Sequence, residues 1–436
     1  MRVATFLLLT ILLISCAEKD ERAGVSWKNI EKKLQTQLIT AKPGDTIFLE
    51  AGYFWFTRSL LLEGQSNIVI KGAGIDQTIL SFKGQEEGAE GIKIANCRDI
   101  ELTGFTIEDA KGDNIKVSET DGIYFRSIKT YWTNGAKETN GAYGIYPVLC
   151  KNVLIEECIA ARASDAGIYV GQSDSVIIRR NTAYENVAGI ESENSNFVDI
   201  YDNHAYNNTG GILVFDLPGL TQYGSKTRVF NNLVEANNHD NFAPKGNIVG
   251  MVPPGTGIML LATREIEIFD NQILNNRTLG IALASYELVV AMDEGESEDA
   301  GELSMQTHNN NYALDTLYDP YIDQVFIRNN EMANKYLFPT MKSDFGKLLL
   351  TKSTFKTPDI LFDGFVHPDR KSKIQICIDQ PEGTSFLNIN VPENLKNMQK
   401  DITPYTCQWT PFKEVHLRAI EQPVIDSLIP SIPLVL

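Results

Sequence analysis

The chain has 436 residues, 43% of them hydrophobic, and a formal net charge of −17. That charge argues against nucleic acid and bare anionic membrane as partners, and against a polyanionic substrate unless a cation or a local basic groove mediates. Its six cysteines (Cys16, Cys97, Cys150, Cys158, Cys377, Cys407) include no Cys-x-x-Cys pair, which leaves little support for zinc or haem.

The first element is a leader. Arg2 supplies a charge, and residues 3–14 form an apolar run too short to span a bilayer as a mature helix. Leu13-Ile14-Ser15-Cys16 resembles a bacterial lipobox, which implies lipidation at Cys16. Lys19-Asp20-Glu21 just after it resembles the surface-export signal of Bacteroidetes lipoproteins. The resemblance implies an outer-membrane lipoprotein at the cell surface, or otherwise on the periplasmic face. The expected organisation is a signal peptide over 1–15, a lipidated linker over 16–26, a repeat body with its cap over 27–335, and an extension over 336–436.

Residues 27–39 place Ile30, Leu34 and Leu38 on one helix face, as an end cap requires. Pro43-Gly44-Asp45-Thr46-Ile47 then opens the first strand. A Gly-Ile pair recurs at Gly91, Gly144, Gly167, Gly189, Gly211, Gly257 and Gly280, and Asn114-Ile115 fills the gap after the first. Most steps are 22 or 23 residues, and steps of 30 and 46 contain insertions. A second marker runs in phase: short alternating strands lead to Asn181, Asn203, Asn232, Asn271 and Asn330, with Cys158 in the same place one rung earlier. Period 2 within each segment makes strands with one buried face, and the turns between them call for Gly or Asn at positive φ. Equivalent residues one period apart stack about 4.8 Å apart along an axis. The spacing therefore predicts an all-β fold, a right-handed parallel β-helix, with Ile145, Ile168, Ile190 and Ile212 as an inward ladder and the asparagines as a turn ladder. Residues 336–436 lose the repeat and read as an irregular extension or cap, in which Cys377 and Cys407 are a candidate disulfide that export would permit. The other internal cysteines read as buried rung residues.

Three insertions leave the stack, over 133–143, 239–256 and 290–320. The last carries Asp293, Glu294, Glu296, Glu298 and Asp299 and reads as a solvated loop, with a cation site as the sharper alternative.

The segments Asn140-Gly-Ala-Tyr-Gly-Ile-Tyr-Pro-Val148, Ser164-Asp-Ala-Gly-Ile-Tyr-Val-Gly-Gln172, Glu185-Asn-Val-Ala-Gly-Ile-Glu191 and Asn208-Thr-Gly-Gly-Ile-Leu-Val-Phe-Asp-Leu-Pro-Gly219 resemble a family of secreted bacterial parallel β-helix repeat proteins over about residues 43–335. The resemblance implies fold and export, not a reaction. More distantly the rungs resemble the pectate-lyase-like class, which holds pectate lyases, polygalacturonases and alginate epimerases, and also a non-enzymatic accessory of nitrous-oxide reductase. The Asp-Pro-His-Asp signature of alginate epimerases and an Arg-rich lyase strand are both absent.

If each Ile points inward, the next residue points out. One outward column is then Tyr146, Tyr169, Glu191, Leu213 and Met259, and a second is Val148, Gly171, Glu193, Phe215 and Leu261. Asp165, Glu191, Glu193 and Asp216 fall into one patch beside Tyr143, Tyr146, Tyr169, Gln172 and Phe215. Aromatic faces stack on sugar rings, and crowded carboxyls separate into acid and base. Glycosidases use carboxyl pairs at about 5 Å or about 6.5–9.5 Å, and adjacent-rung and same-strand positions offer both. Two weaker candidates are His239 and Lys245, while lone His204 reads as a surface residue. The same Asp165, Glu191 and Glu193, with Gln172, form an alternative Ca²⁺ site. The leading expectation is a carbohydrate-active lipoprotein that binds a polysaccharide, with cleavage of hydrolase or lyase type as the sharper reading and binding without chemistry as the plainer one. The rival is a non-catalytic envelope protein that works with a secreted partner.

Overall fold

A computed structural model describes residues 27–296, 312, 315–352, 357–370 and 376–418. Cys16 and the leader lie outside these, as do Glu298 and Asp299. Each turn of the chain contributes one strand to an 11-stranded sheet, here the smaller sheet, and up to two to a 20-stranded sheet, here the larger. Every pairing between these strands is parallel and joins like positions of successive rungs. The chain is thus a parallel β-helix, and ten spacings in the smaller sheet give a stack about 48 Å long.

The inward ladder forms as the spacing predicts. Ile92, Ile115, Ile145, Ile168, Ile190, Ile212, Ile258 and Ile281 are register partners in sequence, and all are buried in one apolar core. Cys97, Cys150 and Cys158 lie buried beside it. The steps of 30 and 46 residues each amount to one rung, because Ile115 pairs with Ile145 and Ile212 with Ile258.

Asn181, Asn203, Asn232, Asn271 and Asn330 form the turn ladder. Each Nδ2 from Asn181 to Asn271 donates to the Oδ1 of the next at 2.9–3.0 Å. A second ladder, Asn186, Asn208, Asn237 and Asn276, repeats the bond pattern five residues later at 2.9–3.1 Å. The residue before each member of the first ladder is left-handed, with φ of 51–55° at Arg180, Asp202, Asn231, Asp270 and Asn329. Most of these are neither Gly nor Asn, contrary to the turn expectation. Ladder bonds on both sides of the corner hold a conformation that costs an L-residue about 1–2 kcal/mol.

At the N-terminal end helix α1 (Glu31–Thr40) buries Leu34 and Leu38 against the first rung. Its Gln35 side chain bonds both the N–H and the C=O of Leu61, capping the sheet edge. At the other end the expected boundary at residue 335 is passed. Ile360–Phe362 and Phe386–Asn388 extend the smaller sheet and Ile376–Asp379 the larger. Helix α3 (Asp344–Lys352) packs Leu349 with Leu361 and Leu387.

Residues 407–418 then run back along the outer face of the larger sheet. Cys407 is disulfide-bonded to Cys377. Trp409 lies against Phe326, Phe412 N–H donates to Glu267, Val415 N–H donates to Asp199, and Arg418 bonds Asn152 and Asp99.

Candidate functional site

The site lies on the outer face of the smaller sheet. The register puts Tyr169 beside Glu191 and Glu191 beside Leu213, and aligns Val148, Gly171, Glu193, Phe215 and Leu261. Both predicted columns are therefore in place. Their exposure is not as expected: Asp165, Tyr169, Glu191, Phe215 and Asp216 are buried. The cause is a roof built from insertions. Val249 and Val252, Tyr286 and Val289 of helix α2 (Tyr286–Glu296), and Tyr318 join Tyr169, Leu213 and Phe215 in a second apolar cluster. The insertion expected as a solvated loop over 290–320 thus packs at both its flanks. Tyr318 also donates its hydroxyl to the Asp216 carbonyl at 2.8 Å.

Three tyrosines meet beside the acids. The Tyr143 ring lies 4.5 Å from Tyr146 and 4.4 Å from Tyr169, and Tyr146 meets Tyr169 edge-on at 4.9 Å. The Tyr169 hydroxyl donates to Glu193 Oε1 at 2.7 Å. Tyr143 hydroxyl and Asn247 Nδ2 each approach Asp165 Oδ2 at 3.4 Å. Asp165 Oδ1 and Glu191 Oε2 are buried with no hydrogen-bond partner, an arrangement that strongly disfavours charge.

Titration follows from that burial. Desolvation first, and Glu193 second, push the Asp165 carboxyl up to about 8. Glu191 is raised well above the carboxylate range by desolvation, then by Asp165 and Glu193. Glu193 is raised to about 7 by desolvation, against the lowering effect of the Tyr169 hydroxyl. Asp216 reaches about 8 through burial, although Gly224 N–H donates to it at 2.9 Å. Burial is the main cause for all four, and like-charge crowding adds to it at Asp165, Glu191 and Asp216.

The structure brings Asp165, Glu191, Glu193, Tyr143, Tyr146 and Tyr169 together, with Phe215 opposite Glu193 and Asp216 at the far edge. Gln172 is turned away, and its Oε1 accepts from Thr221 N–H and hydroxyl at 3.0 and 2.8 Å. The His239 ring bonds the Asp240 carbonyl and meets Phe242, and Lys245 is exposed; neither is brought to the acids. His204 pairs with Glu235 on the opposite sheet.

Three members of the site escaped the sequence reading. Asp113, raised to about 6 by burial, accepts from Tyr143 N–H at 3.3 Å. Lys116 sits 4.8 Å over the Tyr146 ring. Asn247 comes from the roof. The repeat contained the signal for the first two, since Ile115 pairs with Ile145 and Lys116 with Tyr146.

Among the described residues no group of three or more Asp, Glu, His or Cys is arranged to hold a metal ion. An open cavity of about 370 Å³ lies elsewhere, lined by residues that include Asn329, Glu331, Asp359 and Glu382.

Comparison with known proteins bears on the fold. The family model described as right handed beta helix region matches residues 59–219. No curated protein sequence matches the chain. It is similar in structure to the A-module of the mannuronan C-5 epimerase AlgE4 of Azotobacter vinelandii, with 13% identity and a TM-score of 0.50 over 82% of this chain and 93% of that one. It is also similar to DFA-IIIase from Arthrobacter chlorophenolicus A6, with 11% identity and a TM-score of 0.45 over 81% and 88% of the two chains. A third solved structure, the periplasmic alginate epimerase AlgG, has 15% identity and a TM-score of 0.37 over 71% and 82%. At these identities the likeness is one of fold.

Proposed function

We propose that this right-handed parallel β-helix binds a glycan at its tyrosine cluster and cleaves it by acid–base chemistry through Asp165, Glu191 and Glu193. One observation carries the reading: Asp165, Glu191 and Glu193 crowd together, two of them with unpartnered buried oxygens, in hydrogen-bond contact with Tyr143 and Tyr169 of the tyrosine cluster. The name of one fold neighbour, a mannuronan C-5 epimerase, is consistent with the glycan-binding part of this reading.

The roles follow from the environments. Asp165 and Glu191 hold their protons near neutral pH, and either can donate one to a leaving glycosidic oxygen. Glu193 is the half-buried member, and the Tyr169 hydroxyl favours its ionised form. It is the carboxylate partner, as nucleophile or as base for water. A sugar ring lies against the tyrosine faces. Access to Asp165 requires the 239–256 insertion to lift, because Asn247 touches it from above.

The test is a panel of neutral and uronate polysaccharides, scored for reducing ends and for unsaturated products. Turnover that Glu193→Gln and Asp165→Asn each abolish supports the reading; no turnover and no binding across the panel overturns it. The roof over the acids favours a second reading, a non-catalytic envelope protein that works with a secreted partner. A partner recovered from native envelope, together with full function of Glu193→Gln, selects that one. We further propose an envelope location through acylation at Cys16, tested by the mass of the purified N-terminal peptide.

A further inference from the structure

We propose that the N-terminal end of the β-helix is a membrane-docking surface that sits in the lipid headgroup region, so that the stack stands with its first rung at the bilayer. The observation is a collar of exposed apolar side chains at that end. Trp27 is 37% exposed, Ile39 66%, Phe48 70%, Trp55 41% and Leu61 37%. These are five of the twelve exposed large apolar side chains among the described residues. An exposed apolar group of this kind marks an interaction site rather than chance scatter.

Their placement is what commits the partner. Phe48, Trp55 and Leu61 come from the three strands of the first rung, and their rung partners Lys71, Ser81 and Lys93 all lie on the side away from the end. Trp27 pairs with Tyr53 of the same rung, with ring centroids 5.2 Å apart. Ile39 is on α1, whose other face buries Leu34 and Leu38 and closes the stack. The collar therefore surrounds an end, with aromatics on two of its sides and Leu61 on the third. A planar, laterally continuous partner meets all of these sides at once. Tryptophan at such a level is a usual feature of the bilayer interface.

Charge agrees. The whole chain carries −17, which opposes an anionic membrane. The cap reverses that locally: exposed Lys28, Lys32, Lys33 and Lys42 against Glu31 leave residues 27–42 at +3. With the first rung, through Glu63, the end is still at +1. Lysines around an apolar collar suit an anionic headgroup layer. The chain also enters the described structure at this end, and residues 17–26 between Cys16 and Trp27 can span at most about 36 Å. An acyl chain on Cys16 would hold the collar within reach of the bilayer, but the collar and the charge stand without it.

The test uses the full chain reconstituted into vesicles of phosphatidylglycerol and phosphatidylethanolamine with brominated acyl chains. Of the four tryptophans, Trp132 is buried and Trp409 belongs to the C-terminal strap. Expected is bromine quenching of tryptophan emission that falls at least threefold in Trp27→Phe/Trp55→Phe. It also falls at least threefold in Ile39→Ser/Phe48→Ser, which retains both indoles. Unchanged circular dichroism melting shows that these variants are folded. Absence of quenching, or equal quenching in the variants, overturns the proposal. So does cross-linking of two caps to one another without quenching, which assigns the collar to a second copy of the chain.

Discussion

Tyr169 and Glu193 stand on neighbouring rungs and share a 2.7 Å hydrogen bond, with the phenol donating to Oε1. The bond favours the carboxylate, and it opposes the burial that raises Glu193 to about 7. Tyr169→Phe therefore moves the Glu193 titration upward. A bond to a charged group is worth about 1.5–3 kcal/mol, so the shift is roughly one to two pH units. Carboxyl-¹³C NMR titration of the variant reads this directly. A titration that stays in place would show that Tyr169 does not set the charge on Glu193.

The acids predict an unusual pH dependence of stability. Asp165 and Asp216 titrate at about 8 in the folded chain and Glu193 at about 7, against about 4 when unfolded. Between these values the folded state holds more protons than the unfolded state. Stability contributed by these groups is thus full below about pH 4 and is lost as pH rises toward 8. The melting temperature is expected to fall between pH 5 and pH 8, and Asp165→Asn/Glu191→Gln to flatten the slope. Calorimetry across that range checks it. An equal slope in the double variant would mean that the acids titrate normally.

Val249 and Val252 hold the 239–256 insertion down by burying apolar surface against the second cluster. Each buried valine contributes about 1.5–3 kcal/mol, and most of that stabilises the roof, not the stack. Val249→Ser/Val252→Ser should raise hydrogen exchange of 239–256 at least tenfold while the inward isoleucine ladder stays protected. Exchange that rises uniformly over all rungs would show that the roof and the stack open as one unit.

The stack was legible because stacking preserves residue type. Ile145, Ile168 and Ile190 must present the same face at each turn, so the period survives in the sequence. The columns that carry Tyr169, Glu191 and Glu193 follow from alternation alone. Their burial does not, since Val249, Tyr286 and Tyr318 come from insertions that have no period and meet only in the folded chain. The last rungs were hidden for a related reason. Gln380 replaces asparagine at the ladder position, where its Oε1 accepts from Asn330 N–H at 3.0 Å. Asp359-Ile360 replaces Gly-Ile, although Ile360 still pairs with Ile281. Asn186, Asn208, Asn237 and Asn276 were legible in principle, five residues after each marker. Asp113 and Lys116 show the same lesson: a column is read fully only when every position of the repeat is carried to the next rung.

The C-terminal strap gives the last prediction. From Cys377 the outward column runs through Phe326, Glu267, Arg228, Asp199, Ile177 and Leu154 to Tyr124. Seven rung spacings cover about 34 Å, and the eleven Cα–Cα steps from Cys407 to Arg418 reach about 36–40 Å when extended. The strap is therefore nearly taut, tied by the disulfide at one end and by Arg418 to Asp99 at the other. The half-buried Arg418–Asp99 pair rests on two charge-assisted hydrogen bonds at 3.2 and 2.8 Å, whereas the disulfide closes its end covalently and typically adds about 2–4 kcal/mol. Cys407→Ser should release the strap from its stronger end and leave the inward ladder intact. Trypsin then cuts at Lys413 and Arg418 at least tenfold faster than in the oxidised parent, as followed by intact mass, with rung lysines such as Lys151 still resistant. Arg418→Ala, which removes the second site, should change the rate at Lys413 less than threefold. Equal cleavage of Cys407→Ser and the oxidised parent would show that the bonds to Glu267 and Asp199 hold the strap without the disulfide.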